Sequence, residues 1–190
     1  MRLTYPTLVV LSASSLALAA CSGGSTPSSD ASLAPVQDLT PESQSVASAL
    51  DNTDGLQTMA EALKETGIAG VFQGKGSYTL LAPEDDAFAA LGDAGKELMA
   101  SSDHAALAAL IRDHILPGYL TPQDLGAAID HSNNGQVTMA TLSGDTLTFT
   151  RSDEGIVVTG SDGSQATLDG DPVASETSIA IPINGVLKKI

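Results

Sequence analysis

The sequence predicts one α+β domain, and three observations carry that expectation. Apolar residues recur at helical spacing through the first part of the folded region, whereas the second part breaks into short β-prone pieces separated by Gly, Asp and Asn. Helices followed by strands differ from the strict alternation of a nucleotide-binding sheet. The 190 residues, 42% of them hydrophobic, suffice for one real core but not for two comfortable ones.

Before the domain comes an address. Arg2 precedes a mostly apolar stretch from Leu8 to Ala20, followed by Cys21 and the polar run Ser22-Gly23-Gly24-Ser25. A positive start, a short apolar segment and small residues at a processing point describe an export signal that is too short for a good membrane-spanning helix. Residues 1–20 are therefore expected to be a signal peptide. Leu18-Ala19-Ala20-Cys21 resembles the lipobox of bacterial lipoproteins. That resemblance implies cleavage before Cys21 and acylation of the new N-terminus, with membrane lipid as the first partner. The other reading is ordinary secretion with an incidental cysteine. Cys21 is the one cysteine in the chain, so no intramolecular disulfide is available and the fold rests on packing. The expected location is the bacterial cell envelope, on the outer-membrane or periplasmic side if the cell is Gram-negative. Residues 21–44, rich in Ser, Pro, Gly and Asp, read as a flexible tether, and 45–190 as the domain.

Within the domain, Val46, Ala49 and Leu50 begin a helical pattern that Asn52-Thr53-Asp54-Gly55 interrupts. Leu56, Met59, Ala60 and Leu63 resume it, with Gly67 as a plausible end. Ser77 to Leu81 is strand-like and is expected to stop at Pro83. Asp86 to Leu91 looks like a short helix, its start favoured by Asp85 and Asp86 near the positive end of the dipole. Leu98 through Ile115 reads as another helical region, with Leu107, Leu110, Ile111 and His114 facing inward and Pro117-Gly118 closing it. The strand candidates are Val137–Thr141, Thr146–Thr150, Gly155–Val158 and Ala166–Leu168, then a final apolar stretch from Ser178 to Leu187.

Composition narrows the partners. Eight basic residues face 23 acidic ones, a formal net charge of -15 that repels nucleic acid backbones and anionic headgroups. With no Trp, three Tyr and three Phe, no aromatic stacking platform is evident.

The run Tyr78-Thr79-Leu80-Leu81-Ala82-Pro83-Glu84-Asp85-Asp86-Ala87-Phe88-Ala89-Ala90-Leu91 strongly resembles the first conserved segment of fasciclin-like (FAS1) domains. Leu110 to Gly118 matches that family's middle stretch, including its His at His114, and Thr141-Leu142-Ser143-Gly144-Asp145-Thr146-Leu147 looks like its hairpin. The resemblance covers about Ser45 to Leu187. It implies a wedge-shaped β-sandwich flanked by α-helices, association with cell adhesion and matrix or polysaccharide contact, and no general catalytic activity. The family's last motif is altered here. Its Asn-Gly falls on Thr177-Ser178, its His on Ile181 or Ala180, its Asp on Asn184, and Lys188-Lys189 replace the usual Leu-Pro. The apolar strand is kept and the polar groups are lost. Glu84 also stands where many members have Thr, which is a better helix cap.

Several residues are candidate sites. His114 is expected to make a structural hydrogen bond near the Pro117 turn, with a partner contact as the alternative. Glu84, Asp85 and Asp86 fit capping and a solvated surface, or else cation or partner contact. Tyr119, in Tyr119-Leu120-Thr121-Pro122, fits an exposed lip or core packing. Three histidines and one anchored cysteine make a poor zinc set. Asp153, Glu154, Asp162, Asp169 and Asp171 would hold calcium only if the fold gathered them, and their order matches no calcium loop. With no nucleophile-elbow pattern and no phosphate-cradling glycine loop, neither catalysis nor a cofactor is expected. The expected function is an envelope-anchored adhesion or interaction domain for a surface protein or polysaccharide. The alternative is a small-molecule or pigment carrier, and the oligomeric state stays open.

Overall fold

The computed structural model describes residues 45–100 and 104–189; Cys21, the signal segment and the tether lie outside the described residues. Ser45 opens the first helix, α1 (Val46–Leu50), and its hydroxyl accepts the Ser48 amide at 3.3 Å. The Asn52–Gly55 break separates it from α2 (Gln57–Glu65), which buries Met59, Ala60, Ala62 and Leu63. Thr66 ends α2, and Gly67 takes φ of 70°, a left-handed conformation that a side chain would resist. A 3-10 turn, Ile68–Gln73, follows; it sets buried Phe72 edge-on to Tyr78 with centroids 6.2 Å apart.

Strand β1 (Tyr78–Pro83) leads into α3 (Asp85–Ala90). β1 stops at Pro83, as expected, with Pro83 itself as its last paired residue, opposite Ile183. The expected helical region from Leu98 to Ile115 is instead α4 (Gly92–Ala100) and α5 (Ala105–Asp113), and Ile115 opens a strand, β2 (Ile115–Pro117). The helix yields there because the backbone of His114 leaves α geometry and its carbonyl accepts the Leu81 amide at 2.8 Å. Helix α6 (Pro122–His131) was not among the expected elements. Its signal is a capping box: the Thr121 hydroxyl accepts the Asp124 amide, and the Asp124 carboxylate accepts the Thr121 amide, with Pro122 in the first turn.

The remaining strands are β3 (Gln136–Ala140), β4 (Thr146–Ser152), β5 (Gly155–Thr159), β6 (Gln165–Thr167), β7 (Val173–Ala174) and β8 (Ser178–Ile183). They form two four-stranded sheets. Sheet A has the order β2-β1-β8-β7, with β1 and β8 parallel, and sheet B is the meander β3-β4-β5-β6. Every residue of β8 is buried, as expected of a strand covered on both faces. Alternation divides the core accordingly. Leu80, Ala82 and Ala180 face the helices, whereas Leu81, Ile179, Ile181 and Ile183 face Leu147, Phe149, Ile156 and Val158 of sheet B. Leu125 and Ile129 of α6 join this second cluster. The result is an α+β domain in which a β-sandwich carries a helical layer on one side.

Candidate functional site

His114 caps the C-terminal end of α5 and is wholly buried. Its Nδ1 lies 2.8 Å from the Leu110 carbonyl, which can only accept, so Nδ1 carries the proton. Nε2 is then free to accept the Leu187 amide at 2.9 Å. The ring therefore joins α5 to the segment after β8, rather than to the Pro117 turn. Burial lowers its pKa to about 4 from 6.5 and outweighs the Leu110 bond and nearby Asp113, which both act to raise it.

The same C-terminal segment is tied down at three further points. Lys188 Nζ sits 3.0 Å from the buried carboxylate of Asp113 and 3.5 Å from Asp145, and the Asp113 hydrogen bond raises the lysine pKa. The Lys189 amide donates to Asp162 at 2.6 Å. Burial alone would raise the Asp162 pKa, but that amide, with the hydroxyl and amide of Ser164, holds it at about 2. Asn184 accepts the Thr167 amide at 2.8 Å. Together these contacts form a polar strap that fixes the segment after β8. Its key pair, Asp113 with Lys188, is 75 residues apart in sequence and left no local signal. Ser178 is buried with its hydroxyl unpartnered among the described residues.

The acidic trio separates into different environments. Asp85 caps a helix other than its own: its carboxylate accepts the Thr58 amide of α2 at 2.8 Å, where Leu56 offers no side-chain cap. Glu84 makes no cap bond to α3 and is half-buried. Burial raises its pKa, and Asp169, Asp86 and Asp85 add repulsion. Asp86 is exposed.

Tyr119 is 39% exposed. Its position is set by buried Thr79, whose hydroxyl donates to Gly118 O at 2.8 Å and accepts the Leu120 amide at 2.9 Å. Leu120 packs on the sandwich core, so the pair divides into one inward and one outward side chain.

Among the described residues no three His, Cys, Asp or Glu side chains gather as a metal site. The grooves are open surface features. One of about 310 Å³ runs between α4, α5 and the chain end, walled by Leu98, Ala106, Ala109 and the Asp113–Lys188 pair. Another, of about 430 Å³, lies between α6 and sheet B beside the Arg151–Asp130 pair. No described helix is long and apolar enough to cross a membrane.

The family model described as the fasciclin domain matches residues 54–189, from just before α2 to the end of the polar strap. The chain belongs to the fasciclin family. A curated relative, the transforming growth factor-beta-induced protein ig-h3 of Sus scrofa, is 27% identical over 135 residues. That match takes in 70% of this fasciclin chain but spans only 17% of the relative's length. Among solved structures, a FAS1 domain pair from the insect cell adhesion molecule Fasciclin I aligns with a TM-score of 0.49 and 19% identity. The alignment covers 74% of this chain and 43% of that one.

Proposed function

We propose that this fasciclin-family chain is a lipid-anchored protein of the bacterial envelope whose domain mediates adhesion or surface association with a protein or polysaccharide. The observation that carries this reading is the family match across residues 54–189, since fasciclin domains are associated with cell adhesion and interaction. The lipobox-like Leu18-Ala19-Ala20-Cys21 supports the anchor. Four of the polar groups are committed to the fold, which supports a non-catalytic reading. His114 holds the chain end, Asp85 caps α2, and Asp113 and Asp162 fasten the strap.

Two experiments test the reading. Cys21→Ser is expected to move the chain from the membrane fraction to the soluble fraction, and attachment that persists without acylation would remove the anchor. The Cys21→Ser chain, labelled and added to intact parent cells over a salt series, is expected to bind saturably. Binding no greater than that of an unrelated acidic protein would remove the adhesion role.

A further inference from the structure

Each sheet ends in two edge strands, and three of these four edges are short or engaged. Strand β2 has three residues; its Ile115 carbonyl accepts the Leu142 amide at 2.9 Å, and Pro117 has no amide to offer. Strand β7 has two residues. In β6 the Thr167 amide donates to the Asn184 side chain at 2.8 Å, and the Thr167 carbonyl accepts the Asn184 amide at 3.1 Å. The fourth edge, β3, runs for five residues, and nothing among the described residues pairs with its outer side.

The flanking hairpins fix which backbone groups of β3 face outward. The Thr141 amide donates to the Asp145 carbonyl at 2.8 Å, so Thr141 turns its backbone toward β4. Bonded and non-bonded positions alternate along an antiparallel pair, so Met139 and Val137 bond to β4 as well. Gln136, Thr138 and Ala140 therefore aim their amides and carbonyls away from the sheet. The tight turn that pairs Ser152 with Gly155 gives the same phase, since it commits Thr150 and Thr148 to β5 and leaves Phe149 and Leu147 for β3. Gln136, Thr138 and Ala140 are exposed, and their outward groups have no hydrogen-bond partner among the described residues. The inner side chains agree: Phe149 and Val158 are 0% exposed, whereas Val137 and Met139, packed on the same cluster, are only half-buried. Neither a proline nor a bulge, two usual protections of an edge, interrupts β3.

We propose that the β3 edge pairs with β3 of a second copy of this chain, antiparallel and centred on Thr138, so that the two B sheets become one. Alternating amides and carbonyls at strand spacing are complemented by another extended backbone. The strand supplies that complement itself. With Thr138 on the two-fold axis, Thr138 bonds its counterpart and Gln136 bonds Ala140 of the second copy, which uses every outward group along the whole strand. The same register sets Val137 opposite Met139 of the second copy on the inner face, so the half-exposed apolar side chains cover each other. A foreign strand would have to bring its own apolar pair at that spacing, whereas every copy of this chain carries it. A five-residue edge, roughly 17 Å long, buries less than the ~1,200 Å² of a stable complex, so the pairing is weak and reversible. Copies held on one membrane by the proposed anchor gain local concentration, and the net charge of -15 on each opposes their approach. This inference goes beyond the adhesion reading and does not depend on it.

The test is sedimentation of the full Cys21→Ser chain from about 10 μM to about 1 mM, in enough salt to screen its charge. Expected is a reversible equilibrium between monomer and dimer. Hydrogen exchange followed by NMR should show the Gln136, Thr138 and Ala140 amides slowing as concentration rises. The Val137 and Met139 amides, already bonded to β4, should be slow throughout. Thr138→Pro deletes a donor that a single copy does not use, and should weaken the dimer roughly tenfold or more. Thr138→Ala keeps that donor and should leave the dimer unchanged. If the proline variant does not melt like its parent, Gln136→Lys with Ala140→Lys decides instead, because the proposed register sets those lysines directly opposite each other. A chain that stays monomeric up to about 1 mM overturns the proposal, even if it captures some other extended peptide. A dimer indifferent to both the proline and the lysine pair overturns it too, as does one whose protection appears at amides away from β3.

Discussion

A buried imidazole with one donor and one acceptor partner has a single workable protonation state, and His114 is in that position. Nδ1–H is committed to Leu110 O and Nε2 to the Leu187 amide, so a second proton would face a donor. The charged groups around it act in opposite directions. Asp113 favours the cation and Lys188 opposes it, but burial is the largest influence and holds the pKa near 4. The sign follows from linkage. The unfolded ring takes up a proton near 6.5, whereas the folded ring stays neutral until about 4. The stability contributed by neutral His114 is therefore complete above pH 6.5, erodes as pH falls, and is lost by about pH 4. The whole effect is on the order of 3 kcal/mol. Urea denaturation between pH 7 and pH 5 should show this slope in the wild type and lose it in His114→Gln, since carboxylates contribute mostly below that window. An unchanged slope in the variant would place the titration elsewhere.

Among the elements, α3 begins poorly. Glu84 has the extended backbone of a helix cap, at φ -68° and ψ 160°, yet its side chain accepts no amide of α3. Glu84→Thr should supply that acceptor and stabilise the fold by about 1 kcal/mol at pH 7. It would also remove a half-buried carboxylate repelled by Asp169, Asp86 and Asp85. Because the Glu84 pKa is raised in the fold, the wild type recovers stability as this group protonates, so the advantage of the variant should shrink toward pH 4. Urea midpoints at the two pH values check both parts. Equal midpoints for variant and wild type at pH 7 would mean that threonine does not cap there. How far these elements could be read beforehand follows their chemistry. Short-range patterns were legible: the α2 stripe, the α3 start, and the four β-prone pieces that became sheet B. The box around Thr121-Pro122-Gln123-Asp124 is a local signal as well, which the reading of that stretch as an exposed lip or core packing passed over. Strand β2 was not, since Ile115-Leu116-Pro117 continues a helical period and becomes strand only by pairing with β1. The strap depends likewise on tertiary contact, for nothing local in Lys188-Lys189 points to Asp113 or Asp162.

For the molecule as a whole, two electrostatic effects compete, and salt separates them. Among the described residues three ion pairs, Lys64–Asp51, Lys96–Asp93 and Arg151–Asp130, have both partners at least half-exposed. Such exposed pairs contribute little, and salt would weaken them further. The pair of Lys188 with Asp113 is better shielded, since the carboxylate is 7% exposed, and it should respond little. Against these stands the surplus of 23 acidic over eight basic residues, whose mutual repulsion is distributed over the whole surface and acts beyond contact distance. Raising ionic strength shortens the Debye length from ~30 Å at 0.01 M to ~10 Å at 0.1 M, which silences the long-range repulsion first. Repulsion should dominate, because the net excess outnumbers the exposed pairs and is not limited to a few geometries. The melting temperature is therefore expected to rise by a few degrees between 0.01 M and 0.3 M NaCl, equivalent to about 1 kcal/mol. A falling melting temperature would mean that the exposed ion pairs outweigh the excess charge, and Lys64→Met would then show whether the shortest of them, Lys64–Asp51 at 2.7 Å, is responsible. A rise that persists in that variant would instead locate the effect in the acidic surface.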